Sequence, residues 1–153
     1  MRHARLCMLF LAGCCLHATP LLAAPGLRCF EVQKTGFALG KWSNDWETAK
    51  FANLKRFVVR PPTVAEADAD PQRAWMVAEE GKDFAIAECR QNFSATGVLV
   101  CNGALQILVN RETGRFQAYQ QAGYAAGREG ERVADGTLTP YLSIGRCEAA
   151  EVK

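Results

Sequence analysis

The chain has 153 residues, of which 49% are apolar and 22% are charged, and this composition suits one globular domain. No apolar stretch reaches the roughly 18 residues that a membrane-spanning helix needs. Arg2 and Arg5 are two of the 18 basic residues and lie in a predicted targeting segment, so the mature domain carries 16 basic and 16 acidic residues. This neutral balance argues against nucleic-acid binding, because domains that bind nucleic acid carry a basic face.

The first 24 residues have the pattern of a signal peptide. Residues 1–5 are basic, residues 6–16 form an apolar run, and small residues follow up to Ala23 and Ala24. Pro20 ends a helix shortly before this point, as a cleavage site requires. The sequence therefore predicts export of a single domain, residues 25–153, into the periplasm or the medium.

A second interpretation of the same leader is a lipoprotein signal. Residues 11–14 read Leu-Ala-Gly-Cys, which matches a bacterial lipobox and makes residues 1–13 the signal and Cys14 the lipidated residue. The apolar run before Cys14 is short for this purpose, and residues 16–24 would become an apolar tether. Both interpretations place the domain outside the cytoplasm.

Four cysteines remain once the leader is set aside: Cys29, Cys89, Cys101 and Cys147. An even number in an exported chain indicates two disulfides, for which three pairings exist. We favour Cys89–Cys101, which flank a predicted hairpin, and Cys29–Cys147, which lie near the two mature ends. A four-cysteine metal site would use short CxxC pairs, which the chain lacks, so we predict no metal and no cofactor.

Short segments of strand composition, separated by turn signals, predict an all-β fold for the mature chain. Gly36 and Gly40 indicate bends or bulges within it. We expect a small antiparallel barrel or sandwich built from meander hairpins, with polar loops at residues 63–72 and 127–136. The predicted strands are residues 27–32, 35–42, 56–60, 74–78, 83–90, 97–101, 105–109, 116–119 and 141–147.

Two turns and one ambiguous stretch complete this prediction. Asn102 and Gly103 predict a two-residue hairpin, because both residues accept positive φ. Residues 110–114 predict a longer turn with Gly114 in the left-handed conformation. Residues 46–57 fit a helical face as well as strands, so we allow one short helix there.

Three groups of residues are similar to segments of small exported proteins of proteobacteria. The resemblance covers nearly all of the mature chain. It implies no activity, because none is assigned to such proteins, and no functional residue can be transferred from it. The groups are KWSND at 41–45 with Glu47 and Thr48, Asn110 and residues 113–116 with Gly123 and Tyr124, and TPYLSIGRC at 139–147.

Catalytic chemistry has few candidates. Both histidines, His3 and His17, lie in the leader, which excludes histidine-dependent catalysis and histidine-ligated zinc from the mature domain. Cysteines held in disulfides do not act as nucleophiles. A carboxylate mechanism would use Glu79, Glu80 or Asp83, two of which would have to converge in a cleft. The alternative is that all three lie in a solvated turn.

The candidate binding residues are Trp42, Asn44, Asp45 and Trp46, two tryptophans around polar residues in a predicted loop. Tryptophan offers a large, rigid contact area and is enriched at binding hot spots. The alternative is that both indoles cover the open end of a barrel.

These observations predict a non-enzymatic binding domain of the bacterial envelope, comparable to inhibitors of hydrolases or immunity-type proteins. The expected partner is an envelope protein, a glycan or a small apolar ligand, and not a nucleic acid. Membrane contact would occur only through a lipid on Cys14. The alternatives are an accessory lipoprotein of an outer-membrane complex and a carboxylate-dependent envelope hydrolase.

Overall fold

The computed structural model describes residues 24–40, 42, 45–120 and 139–152. These residues form antiparallel strands and one short helix, which confirms the predicted all-β class. The predicted leader and the predicted loop at 127–136 lie outside the described residues. In chain order the elements are β1 (Ala24–Leu39), β2 (Trp46–Lys50), β3 (Arg56–Arg60), α1 (Val64–Ala69), β4 (Trp75–Glu79), β5 (Ala85–Cys89), β6 (Val98–Gly103), β7 (Gln106–Asn110), β8 (Arg115–Gln120) and β9 (Tyr141–Val152).

Eight of the strands close into a barrel. From β3 to β9 each strand pairs with the next along the chain, which is a meander, and β9 then pairs with β1 to complete the wall. β2 is an additional strand, and β1 is its one partner among the described strands. The structure therefore selects the barrel from the two predicted architectures.

β1 is one long strand, not the two strands predicted at 27–32 and 35–42. It pairs with β9 along most of its length, and its register shifts between Glu31 and Gln33. A β-bulge inserts one extra residue and bends the strand. The expected interruption is therefore a bulge around Val32, and not a bend at Gly36 or Gly40.

The bulge changes which side chains face the interior. Side chains of a strand alternate between its two faces, so Cys29 and Glu31 share the inner face. Beyond the bulge, Lys34 is buried and Gln33 is exposed. The inner wall of the barrel thus receives a glutamate and a lysine near one end.

The rest of the interior is apolar and closely packed. Phe57 and Phe116 meet edge to face across it, with ring centroids 5.8 Å apart. A Cβ atom at Gly145 would lie 2.2 Å from the Phe116 ring, so glycine is needed there for that ring to lie against β9. The other members of the core are Cys29, Val59, Val77, Ala87, Cys89, Leu99, Cys101, Leu105, Ile107, Val109, Ala118 and Tyr141.

Both disulfides have the pairing favoured from the sequence. Cys29–Cys147 joins β1 to β9 at positions that face each other in the register, so it crosses the junction that closes the barrel. Cys89–Cys101 joins β5 to β6. Two disulfides are compatible with an oxidising extracellular or periplasmic location.

The helix lies elsewhere than predicted. Residues 46–57 contain β2 and the start of β3, whereas α1 occupies part of the expected loop at 63–72. The Thr63 side chain accepts a hydrogen bond from the Glu66 backbone N–H, and the Glu66 carboxylate accepts one from the Thr63 N–H. This capping box has the sequence signature Thr-x-x-Glu, which favours the start of a helix although the segment has the polar composition of a loop.

The predicted turn at Asn102 and Gly103 is wrong by two residues. β6 continues through Gly103, and the chain reverses at residues 104–105. A Cβ atom at Gly103 would lie 2.4 Å from the carbonyl oxygen of Ile86, so this glycine permits a close approach to β5 instead of forming a turn. The expectation for Gly114 is confirmed, since its φ is +61°.

Candidate functional site

The β1–β2 hairpin extends past the described part of the barrel wall. Pairing of β1 with β9 ends at Gly36, whereas pairing with β2 continues to Leu39. Trp42 lies in the turn of this hairpin and is 90% exposed, and Trp46 at the start of β2 is half-buried. The Trp42 indole therefore projects into solvent and does not cover the barrel end.

The other members of the predicted binding site are only partly described. Asp45 is exposed, and its Oδ1 accepts a hydrogen bond of 2.7 Å from the Trp46 backbone N–H, which fixes the start of β2. Asn44 lies outside the described residues, as does Cys14. The three described members thus share one hairpin.

The outer edge of β2 pairs with no described strand. The Gly40 N–H bonds to the Asp45 carbonyl and the Phe51 N–H bonds to the Lys34 carbonyl, which sets the alternation of hydrogen bonds along the hairpin. In that alternation the backbone groups of Thr48 and Lys50 point away from β1. An edge of this kind can pair with a strand from another chain.

An apolar groove lies beside this edge on the outer surface. Phe37 pairs with Thr48 in the register and is 50% exposed. The groove has a volume of about 660 Å³, and its apolar lining includes Phe37, Tyr119 and Leu142. Large apolar side chains left exposed together are a feature of interaction surfaces.

The three candidate catalytic carboxylates do not converge. Glu79 is paired with the Lys55 ammonium at 2.7 Å, and Glu80 with the Arg28 guanidinium at 3.0 Å. Neighbouring residues of a strand face opposite sides, so Glu79 and Glu80 diverge. Asp83 is exposed in the following turn. Glu79, Glu80 and Asp83 therefore do not form the convergent pair that the predicted carboxylate mechanism needs.

The mouth of the barrel at the hairpin end holds a cavity that the sequence analysis missed. Its volume is about 420 Å³, within the range of small-molecule sites. Its lining includes Lys34, Phe51, Lys55, Glu79, Leu105 and Tyr141. Most of its described lining lies at or just beyond the ends of β2, β4, β6 and β8 and near the start of β9, which places the cavity at one end of the barrel.

Lys34 is the unusual group in this cavity. The residue is 5% exposed, and its ammonium nitrogen lies 3.8 Å from the centroid of the Tyr141 ring and 5.8 Å from that of Phe51. No oxygen of the described residues accepts a hydrogen bond from it. Burial lowers the pKa of Lys34, because the charged form loses its hydration, and the negative charge of Glu31 partly opposes this shift.

Glu31 and Tyr141 share this environment. Burial is the main cause that raises the pKa of the Tyr141 hydroxyl, followed by the negative charges of Glu31 and Glu79. Glu31 is 4% exposed, and its Oε2 accepts a hydrogen bond of 2.7 Å from the Lys55 backbone N–H. Its Oε1 is buried and has no hydrogen-bond partner among the described residues. Unsatisfied buried polar atoms are uncommon in folded proteins and mark places that need an explanation.

The alternation of side chains along β1 predicts that Glu31 faces inward, but it does not predict this for Lys34. Glu31 lies two residues after Cys29, so any strand that turns Cys29 inward also turns Glu31 inward. Lys34 carries no such signal, because a regular strand would have turned Gln33 inward and Lys34 outward. Only the bulge reverses this order.

Three further observations bear on function, and none of them assigns one. No group of three or more metal-ligating His, Cys, Asp or Glu side chains occurs among the described residues. Within the part of the chain that the structure describes, no helix has the length and apolar character needed to cross a membrane. No protein-family model, curated protein or solved structure matches the chain.

Proposed function

We propose that this chain is an exported, non-enzymatic binding domain of the bacterial envelope that recognises a partner protein through the β1–β2 hairpin. The observation that carries the proposal is Trp42, a tryptophan 90% exposed at the tip of a hairpin that extends past the described part of the barrel wall. Exposing an indole to water is unfavourable, and a partner that covers it gains that free energy. Tryptophan is accordingly among the residues enriched at interface hot spots.

The outer edge of β2, which pairs with no described strand, favours a protein over a glycan as the partner. Thr48 and Lys50 direct backbone donors and acceptors away from β1, and an extended peptide segment satisfies such groups by adding a strand. Phe37 lies next to Thr48 and lines the apolar groove, where alternate side chains of an added strand would pack. Trp42 and the edge lie on the same hairpin, and Phe37 and Thr48 of that hairpin form one side of the groove.

The leader and the disulfides support an envelope location. The predicted signal segment directs the chain out of the cytoplasm under either interpretation, and two disulfides need an oxidising compartment to form and persist. A rigid barrel that presents one hairpin suits an inhibitor-like role, in which the scaffold positions a binding element without catalytic groups.

The experiment is affinity capture from an envelope extract of the source bacterium with the immobilised oxidised protein, followed by dissociation constants for each captured protein. We compare the wild type with Trp42→Ala and with Thr48→Pro, which removes an N–H that points away from β1. Phe84→Ala, at an exposed aromatic residue on the β4–β5 turn, is the matched control. We expect both hairpin variants to weaken binding at least about tenfold and the control to leave it unchanged. Equal retention by all variants, or no protein retained by the wild type above Trp42→Ala, contradicts the proposal.

A further inference from the structure

The mouth of the barrel contains an ammonium group with unused hydrogen-bonding capacity. A lysine ammonium has three N–H donors. Lys34 is 5% exposed as a whole residue and lines the cavity, and no oxygen of the described residues accepts from its ammonium. Its nearest described neighbours are the ring faces of Tyr141 and Phe51, which attract the positive charge but leave the N–H donors without acceptors.

The other charged groups of the mouth are already engaged. Lys55 Nζ lies 2.7 Å from Glu79 Oε2, and the backbone N–H of Lys55 lies 2.7 Å from Glu31 Oε2. Both carboxylates are therefore held by Lys55, one through its side chain and one through its backbone. Lys34 remains the cation of the mouth that no described carboxylate oxygen contacts within hydrogen-bonding distance.

The wall around Lys34 is largely apolar. Phe51, Ile86 and Leu105 line the same cavity, whose volume is about 420 Å³. The lining also includes the ion pair of Lys55 and Glu79, so the pocket combines apolar walls with a few polar groups, as small-molecule sites do.

We propose that this cavity binds a small monoanionic ligand with an apolar body, whose carboxylate or sulfonate head accepts hydrogen bonds from the Lys34 ammonium. The body of the ligand packs against Phe51, Ile86 and Leu105. An anionic head supplies the acceptors that Lys34 lacks, and charge-assisted hydrogen bonds of this kind are stronger than neutral ones. The site is separate from the hairpin tip and does not depend on the protein partner proposed above.

The four charged groups of the mouth sum to zero, and it is the desolvation of Lys34 that favours an anion placed next to its ammonium. Burial disfavours the charged form of Lys34, and a bound anion restores the favourable surroundings that the ammonium lost. The charged and titratable groups that act on Lys34 are Glu31 on the same strand, Lys55 before β3, Glu79 at the end of β4 and Tyr141 on β9. Lys55 and Glu79 neutralise each other, so Lys34 and Glu31 set the local charge.

The test is isothermal titration of the full oxidised protein with octanoate and with octanol, which has the same apolar body without the charge. We compare the wild type with Lys34→Met, which keeps the apolar stem, and with Lys82→Met, a control at an exposed turn lysine. We expect octanoate to bind the wild type and Lys82→Met equally, and to bind Lys34→Met at least about tenfold more weakly. Octanol should bind the wild type at least about tenfold more weakly than octanoate.

A second measurement needs no variant at position 34, in case Lys34→Met fails to fold. The affinity of the wild type for octanoate should fall as pH rises through the pKa of Lys34 and the ammonium loses its proton, while binding of octanol stays constant. The proposal is overturned if octanoate does not bind, if octanol binds as tightly as octanoate, or if Lys34→Met retains full affinity. An octanoate affinity that is independent of pH up to about pH 11 overturns it as well.

Discussion

The ammonium nitrogen of Lys34 on β1 lies 3.8 Å from the centre of the Tyr141 ring on β9, across the junction where the first and last strands close the barrel. The same junction carries the Cys29–Cys147 disulfide further along both strands. Burial disfavours the charged forms of both Lys34 and Tyr141, so the pKa of the first is lowered and that of the second raised. The junction that closes the barrel is therefore held by a disulfide at one point and by the contact of Lys34 with the Tyr141 ring at the mouth.

Lys34→Met should stabilise the unliganded protein at pH 7, by about 1 kcal/mol. The folded-state pKa of Lys34 is lowered from 10.5, so the penalty for burying the charge is fully present below that lowered pKa. The penalty disappears as pH rises towards 10.5, and the advantage of the variant should shrink over the same interval. Urea unfolding at several pH values measures this, with Lys82→Met as the control. A loss of stability at pH 7 would mean that the ammonium is favourably paired in the folded state.

Glu66→Gln should lower stability at pH 7, by about 2 kcal/mol. Its carboxylate accepts hydrogen bonds from both terminal nitrogens of Arg60, at 2.6 and 2.9 Å, and this contact is the main cause that lowers its pKa from 4.5 to about 2. Because the folded pKa is depressed, the contribution is complete above pH 4.5 and is lost as pH falls from 4.5 to about 2.

The measurement for Glu66 is thermal unfolding of wild type and variant between pH 7 and pH 2. Glu112→Gln serves as the control, because its side chain is 64% exposed and its ion pair with Arg111 lies in solvent. The difference in stability between wild type and Glu66→Gln should disappear as the pH falls to about 2. A gap of constant size would show that the effect comes from packing and not from the charge.

Loss of the Cys29–Cys147 disulfide should cost more stability than loss of Cys89–Cys101. The first pair is separated by 118 residues and the second by 12, so the first restricts the unfolded chain more strongly. The chain-entropy model gives about 5 and about 3 kcal/mol, respectively. Urea unfolding of the two double Cys→Ala variants compares them. Equal losses would show that strain or packing, and not loop entropy, dominates.

Gly103→Ala should be strongly destabilising, by about 3 kcal/mol or more. The new Cβ would lie 2.4 Å from the Ile86 carbonyl oxygen and 2.7 Å from the Ala87 Cα, so β5 and β6 would have to separate. Gly81→Ala is the matched control, since its φ is +82° but no atom lies within 4 Å of the new Cβ. The Gly81→Ala variant should lose about 1 kcal/mol of stability, and this loss comes from backbone strain alone. If both variants lose the same amount, the close approach of β5 to β6 carries no special cost.

Intact mass of the protein from its native envelope should distinguish the two leader interpretations. A chain that begins near Ala24 and gains about four hydrogen masses on reduction is the expected result for a soluble domain with two disulfides. A chain that begins at Cys14 with a diacylglyceryl group would instead establish the lipoprotein. In that case the search for the hairpin's partner would move to outer-membrane complexes.

The all-β class and the positions of most strands followed from the sequence, and the disulfide pairing favoured among three possible ones is the pairing of the structure. These features depend on local patterns: alternation with a period of two, turn residues such as Gly114, and the positions of Cys89 and Cys101 on either side of a hairpin. The errors also have local causes. The Thr63 capping box was hidden in a polar segment, and Gly103 resembles a turn glycine although it serves a close approach between strands.

The mouth of the barrel depended on the tertiary structure alone. Lys34, Phe51, Leu105 and Tyr141 are distant in the chain and meet only because β9 closes onto β1. Lys34 faces inward only because of the bulge after Glu31, which shifts the side-chain alternation by one residue. The sequence by itself determined which segments become strands, since that choice is made by neighbouring residues. Closure and register are set by packing between distant strands, and these decided which side chains surround the cavity.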